Sequence, residues 1–140
     1  MLKFLSPLHK AERQISVWFE ERLAGMGISS PEGHLLSYLS GYAPSPIAEL
    51  VRVFGFRHST MTSLLDRLET RGLVARSVNP EDRRSFVVRL TRKGKSAARK
   101  VRKLVDEIER EIDSRASDLD LEGFRGVMKA VEEATRVRLR

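Results

Sequence analysis

Residues 72–94, GLVARSVNPEDRRSFVVRLTRKG, constrain the fold more than any other stretch of this chain. Two short apolar runs, residues 73–78 and 85–91, flank a polar segment at residues 79–84. The Asn79-Pro80 pair marks a turn, because a proline pushes the residue before it away from the helical region. Strand, tip and strand follow as the reading, with a helix opening near Gly94. An isolated hairpin is marginally stable, so this one has to lean on helices. Its tip carries Glu81, Asp82, Arg83 and Arg84.

Those helices are legible upstream. Leu8, Ala11, Ile15, Trp18, Phe19, Leu23 and Met26 recur at three- and four-residue steps and predict a helix over residues 6–26, ended by Gly25 and Gly27. A second helix is expected from Ser30, with Pro31 in its tolerant first turn and Leu35, Leu36 and Leu39 on its apolar face. Residues 41–44 break it. Ser45-Pro46 reads as another helix start, followed by a short helix with Ile47, Leu50, Val51 and Phe54 inward and Gly55 at its end. A fourth helix is expected near Ser59 as N-cap, with Met61, Leu64, Leu65 and Leu68 facing the core. Arg57, His58, Thr60, Thr62, Ser63, Asp66 and Arg67 are then left outward. Two short helices around a glycine-containing turn make a helix-turn-helix, and the hairpin makes it winged.

The fold class expected is mainly α with a small β-hairpin wing, the winged helix-turn-helix being flanked by terminal helices. Beyond the hairpin a helix is expected to about residue 116, with Ala97, Val101, Leu104, Val105, Ile108 and Ile112 in one stripe. After a polar break at residues 117–120, a last helix is expected over residues 121–139, with Phe124, Val127, Met128, Val131 and Ala134 on one side. Residues 30–94 are thus read as the winged lobe, and residues 5–26 and 95–139 as helices that bury their stripes against a second copy, within a single domain over residues 1–140. A two-fold partner would set two reading helices about one DNA turn apart.

Charge points to a polyanion. Residues 76–103 hold eleven Lys or Arg and two acids, a net +9, whereas the whole chain is +7. The rest of the chain is therefore slightly acidic, and the basicity is local. A helix suited to a major groove and an arginine suited to the neighbouring minor groove make double-stranded DNA the expected partner. RNA fits less well, because its deep, narrow major groove does not admit a helix.

At 140 residues, 41% hydrophobic and 32% charged, the chain suits one folded domain. With no cysteine it has no disulfide, no thiolate zinc site and no thiol redox sensor. Three scattered histidines (His9, His34, His58) make a poor metal set, and no cofactor is expected. No phosphate loop, nucleophile elbow or His-Glu metal motif suggests an enzyme. No apolar run nears the roughly 20 residues of a membrane span, and MLKFLSPLHK lacks a signal-peptide core, so a cytoplasmic protein without membrane contact is expected.

The stretch STMTSLLDRLETRGLVARSVNPEDRRSFVVRLTRKG closely resembles the core of the MarR family of transcription regulators. The resemblance rests on Leu68, Gly72, Leu73 and Val74, then Arg76, the Asp82-Arg83-Arg84 tip, Leu90-Thr91 and Gly94, and it is strong over residues 45–94. It implies a homodimeric regulator, most often a repressor, whose first and last helices interleave with a partner. Many members release DNA on binding a small phenolic or anionic effector, and some do without one. By position, Arg84 matches the arginine that enters the minor groove, Asp82 the acid that braces a wing arginine, and Ser59, Thr60, Thr62 and Ser63 the helix positions that meet bases and phosphates. Arg67 matches a backbone-contact position, and Arg57, His58, Arg76 and Arg83 complete the expected DNA face. The effector region implied by the resemblance offers Trp18, His34 and Tyr38, with Arg13 or Arg22 nearby. The chain departs at Ser63, where the family often has arginine, since a hydroxyl cannot hold guanine bidentately, and at Val51, where an alanine is usual. Sequence-tolerant, architectural DNA binding is the alternative reading.

Overall fold

The computed structural model describes residues 2–138. They form α1 (Leu5–Ala24), α2 (Ser30–Tyr42), β1 (Ser45–Pro46), α3 (Ile47–Phe54), α4 (His58–Thr70), β2 (Val74–Val78), β3 (Phe86–Leu90), α5 (Arg92–Asp113) and α6 (Asp118–Thr135). The chain divides into two compact units, one running to Arg102 and one from Lys103.

In the first unit the core is built from the stripes read above. Leu35, Leu36 and Leu39 of α2, Leu50 of α3, and Met61, Leu64, Leu65 and Leu68 of α4 are all buried, as are Val74, Val87, Val88 and Leu90 of the sheet. The burial of α1 is graded: Phe19 and Leu23 near its end are enclosed, whereas Ile15 is 41% and Leu5 52% exposed. The enclosed end fits because Gly33 of α2 leaves room; a Cβ there would lie 2.8 Å from Leu23 Cδ1.

Several element boundaries differ from the sequence reading. Ser45-Pro46 does not cap α3. The Ser45 hydroxyl donates to the Tyr42 carbonyl at 2.6 Å, and the two residues pair with Val88 and Val87 as strand β1. The wing hairpin is thereby part of a three-stranded antiparallel sheet, ordered β1-β3-β2. Ser59 is not an N-cap either, since α4 begins at His58 after Arg57 with no side-chain cap. The polar break at residues 117–120 is a helix start. Ser117 Oγ accepts from the Asp120 N–H at 3.2 Å, the Asp120 carboxylate accepts from the Ser117 N–H at 2.9 Å, and α6 therefore opens at Asp118. At its other end α6 stops at Thr135, where Arg136 takes the left-handed conformation of a C-cap, short of the expected end at Leu139, which itself lies outside the described residues.

The base of the wing is sealed at α5. Thr91 donates its hydroxyl to the Gly72 carbonyl at 2.6 Å and its N–H to the Leu73 carbonyl at 3.1 Å. Gly94 returns an N–H to Thr91 Oγ1 at 3.0 Å. A Cβ on Gly94 would lie 1.8 Å from the Leu73 oxygen, so only glycine lets α5 start there.

The second unit is different in kind. No residue of α6 is buried. Phe124 is 57% exposed, and Leu119, Leu121 and Ile112 are also open, while Val127, Met128 and Val131 are half-buried.

Candidate nucleic-acid interface

Helix α4 presents a polar face because its apolar residues are consumed by the core. Arg57, His58, Ser59, Thr60, Ser63 and Arg67 are exposed, and Thr62 is half-buried. Thr62 Oγ1 and His58 Nδ1 share a hydrogen bond at 3.4 Å. With Ser59 released from capping, its hydroxyl stays in the outward row at the helix start, where backbone N–H groups favour anions. Arg67 meets neither Asp66 nor Glu69. Its Nε lies 3.6 Å from Glu32 of α2.

The wing tip is held by short-range bonds. The Asn79 N–H donates to the Ser85 carbonyl at 2.9 Å, and the Ser85 N–H to the Asp82 carbonyl at 3.0 Å. Asn79 Oδ1 accepts from the Glu81 N–H at 3.1 Å. Asp82 braces the tip differently from the expectation: its carboxylate accepts the backbone N–H of Arg84 at 3.1 Å rather than a guanidinium. Such an Asx-type turn shapes the loop and leaves both arginine side chains outward. Arg83 and Arg84 are exposed, and neither has an ion-pair partner among the described residues.

Arg76 is placed quite differently. Its Nη2 donates to Asp66 and its Nε to Glu69, both at 2.6 Å. Burial opposes its charge, but the two carboxylates outweigh that and hold its pKa above the ordinary arginine value. These bonds tie β2 to α4, so Arg76 sets the angle between wing and helix instead of offering a free charge.

The basic segment of the sequence is therefore not one surface. The tip arginines stand at one end of the hairpin, Arg76 is consumed in the middle, and the cations of α5 lie at the base. Three of the latter, Lys95, Arg99 and Arg102, ring with Arg89 of β3 a cleft of about 510 Å³ floored by Leu39, Ala43, Pro44, Leu90 and Ala98.

The expected effector residues do not converge on one cavity. Trp18 stacks under the Arg22 guanidinium, 3.8 Å from its ring centroid, and meets Phe19 edge-on. His34 and Tyr38 share an open cleft with Tyr42, Phe54 and Arg102. Tyr38 lies 4.7 Å from Tyr42 in a stacked pair and donates its hydroxyl to Glu49 at 3.0 Å. His34 meets Phe19 edge-on, and its partial burial holds its pKa below the ordinary value by desolvation. Arg13 reaches Glu20 at 3.5 Å. Among the described residues no cluster of His, Asp or Glu could hold a metal ion, and no helix is long and apolar enough to cross a membrane.

One residue escaped the sequence reading. Glu32 is a buried carboxylate, 6% exposed. It closes a capping box with Ser29 and accepts from Arg71 Nη1 at 3.1 Å. The pattern Ser29-x-x-Glu32 was the available signal for the cap. Nothing in the sequence announced the arginines 35 and 39 positions further along.

Two packed helices, an exposed reading face and a braced two-strand wing on a three-stranded sheet define a winged helix-turn-helix protein. Residues 26–85, somewhat less than half of the chain, match the model of the MarR family. The chain is 36% identical over 103 residues to the HTH-type transcriptional regulator YfiV of Bacillus subtilis, covering 66% of this chain and 64% of that protein. It is 31% identical over 87 residues to the HTH-type transcriptional repressor NicR of Pseudomonas putida, covering 62% and 55%. These matches span less than two thirds of either relative. Among solved structures, the fold is similar to that of MepR of S. aureus in a MepR–DNA complex, with TM-score 0.85 over 96% of this chain and 99% of that one at 19% identity.

Proposed function

We propose that this protein is a homodimeric DNA-binding transcription regulator acting as a repressor. The observation that carries the reading is the pairing, on one family-matched segment, of an outward polar α4 face with a braced wing tip whose two arginines are exposed and have no ion-pair partner among the described residues. In this reading Ser59, Thr60, Thr62 and Ser63 meet the major groove, Arg57 and His58 extend that reach where Ser63 is short, and Arg84 enters the minor groove with Arg83 on phosphate. Arg67 serves the phosphate backbone while steered by Glu32. The terminal stripes, open in the single chain, support burial against a second copy. The NicR relative is a named repressor, and MepR has been seen on DNA.

Relief of binding by a small molecule belongs to the same proposal. The aromatic cleft at His34, Tyr38 and Tyr42 suits a planar ring, and the neighbouring cations suit an anionic group.

The test is fluorescence anisotropy with a labelled duplex from upstream of the protein's own gene against a scrambled duplex, at low and physiological salt. Preference for the upstream duplex at physiological salt is expected. Equal and steeply salt-weakened binding to both would favour an architectural, sequence-tolerant role. Absence of binding at either salt would sink the DNA reading.

A further inference from the structure

Val78 and Phe86 are direct partners across β2 and β3 at the outer end of the hairpin. They are 51% and 48% exposed, the two large apolar side chains of the hairpin that are open to solvent. Alternation along the strands puts them on the same face as Val74, Arg76, Val88 and Leu90. That face is turned toward α4, because Val74, Val88 and Leu90 are in the core and Arg76 bonds Asp66 and Glu69.

The level of the pair along α4 follows from the register. Strand β2 runs back along the helix, since the Leu73 N–H bonds the Leu68 carbonyl whereas Arg76 already reaches Asp66. Two further residues of strand advance about 6.6 Å, the rise of about four helical residues. Val78 and Phe86 therefore stand opposite the stretch of α4 that holds Thr62 and Ser63. Arg83 and Arg84 follow at the tip of the same hairpin, exposed beyond this pair.

We propose that Val78 and Phe86 pack against the deoxyribose faces of the DNA strand that passes between α4 and the wing. The inference rests on the DNA reading above. Sugars are the apolar part of a nucleic-acid backbone, and a backbone crossing from a major to a minor groove must pass between the elements that occupy them. The contact sets how deeply the wing sits and is blind to base sequence. It removes apolar surface from water without releasing counterions, which separates it from the arginine contacts.

The experiment uses the full chain and any duplex that the wild type binds. A Val78→Thr/Phe86→Thr variant places strand-favouring β-branched residues at both positions of an exposed strand face, and circular dichroism would show its fold and melting point. Its affinity is expected to fall about five- to thirty-fold, with the slope of log affinity against log salt unchanged. Phe86→Leu should retain most of the wild-type affinity. Arg84→Ala, in parallel, should reduce the salt slope by about one. A folded double variant with wild-type affinity would overturn the inference while Arg84→Ala still upheld the DNA reading. A double variant that loses salt slope would overturn it too, as that means the pair only positions arginines. A lower sedimentation mass with unchanged DNA affinity would assign the pair to a chain–chain contact instead. A wild type that binds no duplex sinks this inference together with its parent reading.

Discussion

The unit that ends at Arg102 and the unit that begins at Lys103 use the same kind of amphipathic helix to opposite ends. In the first, the stripes of α2, α3 and α4 close on each other and on the sheet, and Leu35, Leu36, Leu50, Leu65 and Leu68 are fully enclosed. In the second, α6 carries a stripe of equal regularity and encloses none of it. A stripe by itself thus reports a debt of burial and says nothing about where it is met. The polar details follow the same division. In the first unit Glu32 joins Arg71 and Arg67 across distant segments, although Arg13–Glu20 stays within α1, whereas the Arg115–Glu111 and Lys129–Glu133 pairs of the second are one helical turn apart. Pairs of the latter kind are exposed and stabilise little.

The contrast can be broken most sharply at Gly94. Gly94→Ala drives a Cβ into the Leu73 carbonyl and should cost about 3 kcal/mol or more, read as a large drop in the thermal midpoint. A midpoint within a few degrees of wild type would mean that the wing base is not the rigid seal described. The opposite perturbation belongs to the second unit: Val131→Glu should leave the far-ultraviolet spectrum unchanged but split the proposed dimer, raising its dissociation constant at least about a hundredfold on the cost of burying a charge. An intact dimer by sedimentation would move the interface away from α6. Ile15→Glu tests the same point on α1.

Arg84→Ala sharpens the comparison within the first unit, between the wing's locked base and its free tip. Loss of about 1–3 kcal/mol of DNA affinity is expected with no change in stability, and unchanged affinity in a folded protein would refute the tip assignment. Glu32→Ala should do the reverse, lowering stability by about 1–2 kcal/mol through the lost cap and the buried end of the ion pair, with DNA affinity falling only modestly as Arg67 loses its guide. Equal melting curves would show the pair to be ornamental.

The smallest effect concerns pH. Partial burial lowers the pKa of His34 below the unfolded value of 6.5. Its contribution is then fully present above that value and is lost as pH falls through the folded pKa, since the unfolded chain takes up the proton first. His34→Leu should flatten this acid-side decline in urea titrations, and an unaltered profile would assign the decline to carboxylates.

Much of the candidate interface is legible in the sequence. The order of helices, the four apolar positions of α4 and the turn at Asn79-Pro80 follow from period and turn chemistry, which act over a few residues. Thr60, Ser63 and Arg67 were read as outward for the same reason, whereas Ser59 was read as an N-cap and is instead exposed inside the helix. Boundaries were less legible where a side chain had two local uses. Ser45 could cap a helix or bond back to Tyr42, and only the availability of β3 as a strand partner decided it. Ser117 and Asp120 read as a break because polar residues both end and begin helices.

What the sequence determined by itself was which faces are apolar, where the chain turns and how much positive charge it carries, since each depends on neighbours within a turn or two. The tertiary structure alone decided what the charges do. Arg76 and Arg84 lie eight residues apart in one basic run, yet the first is spent between Asp66 and Glu69 and the second is exposed with no ion-pair partner among the described residues. Glu32 finds Arg71 across 39 positions. An ion pair forms only where chain closure brings two groups within a few ångströms, and that closure is set by the packing of the whole lobe rather than by any residue in the pair.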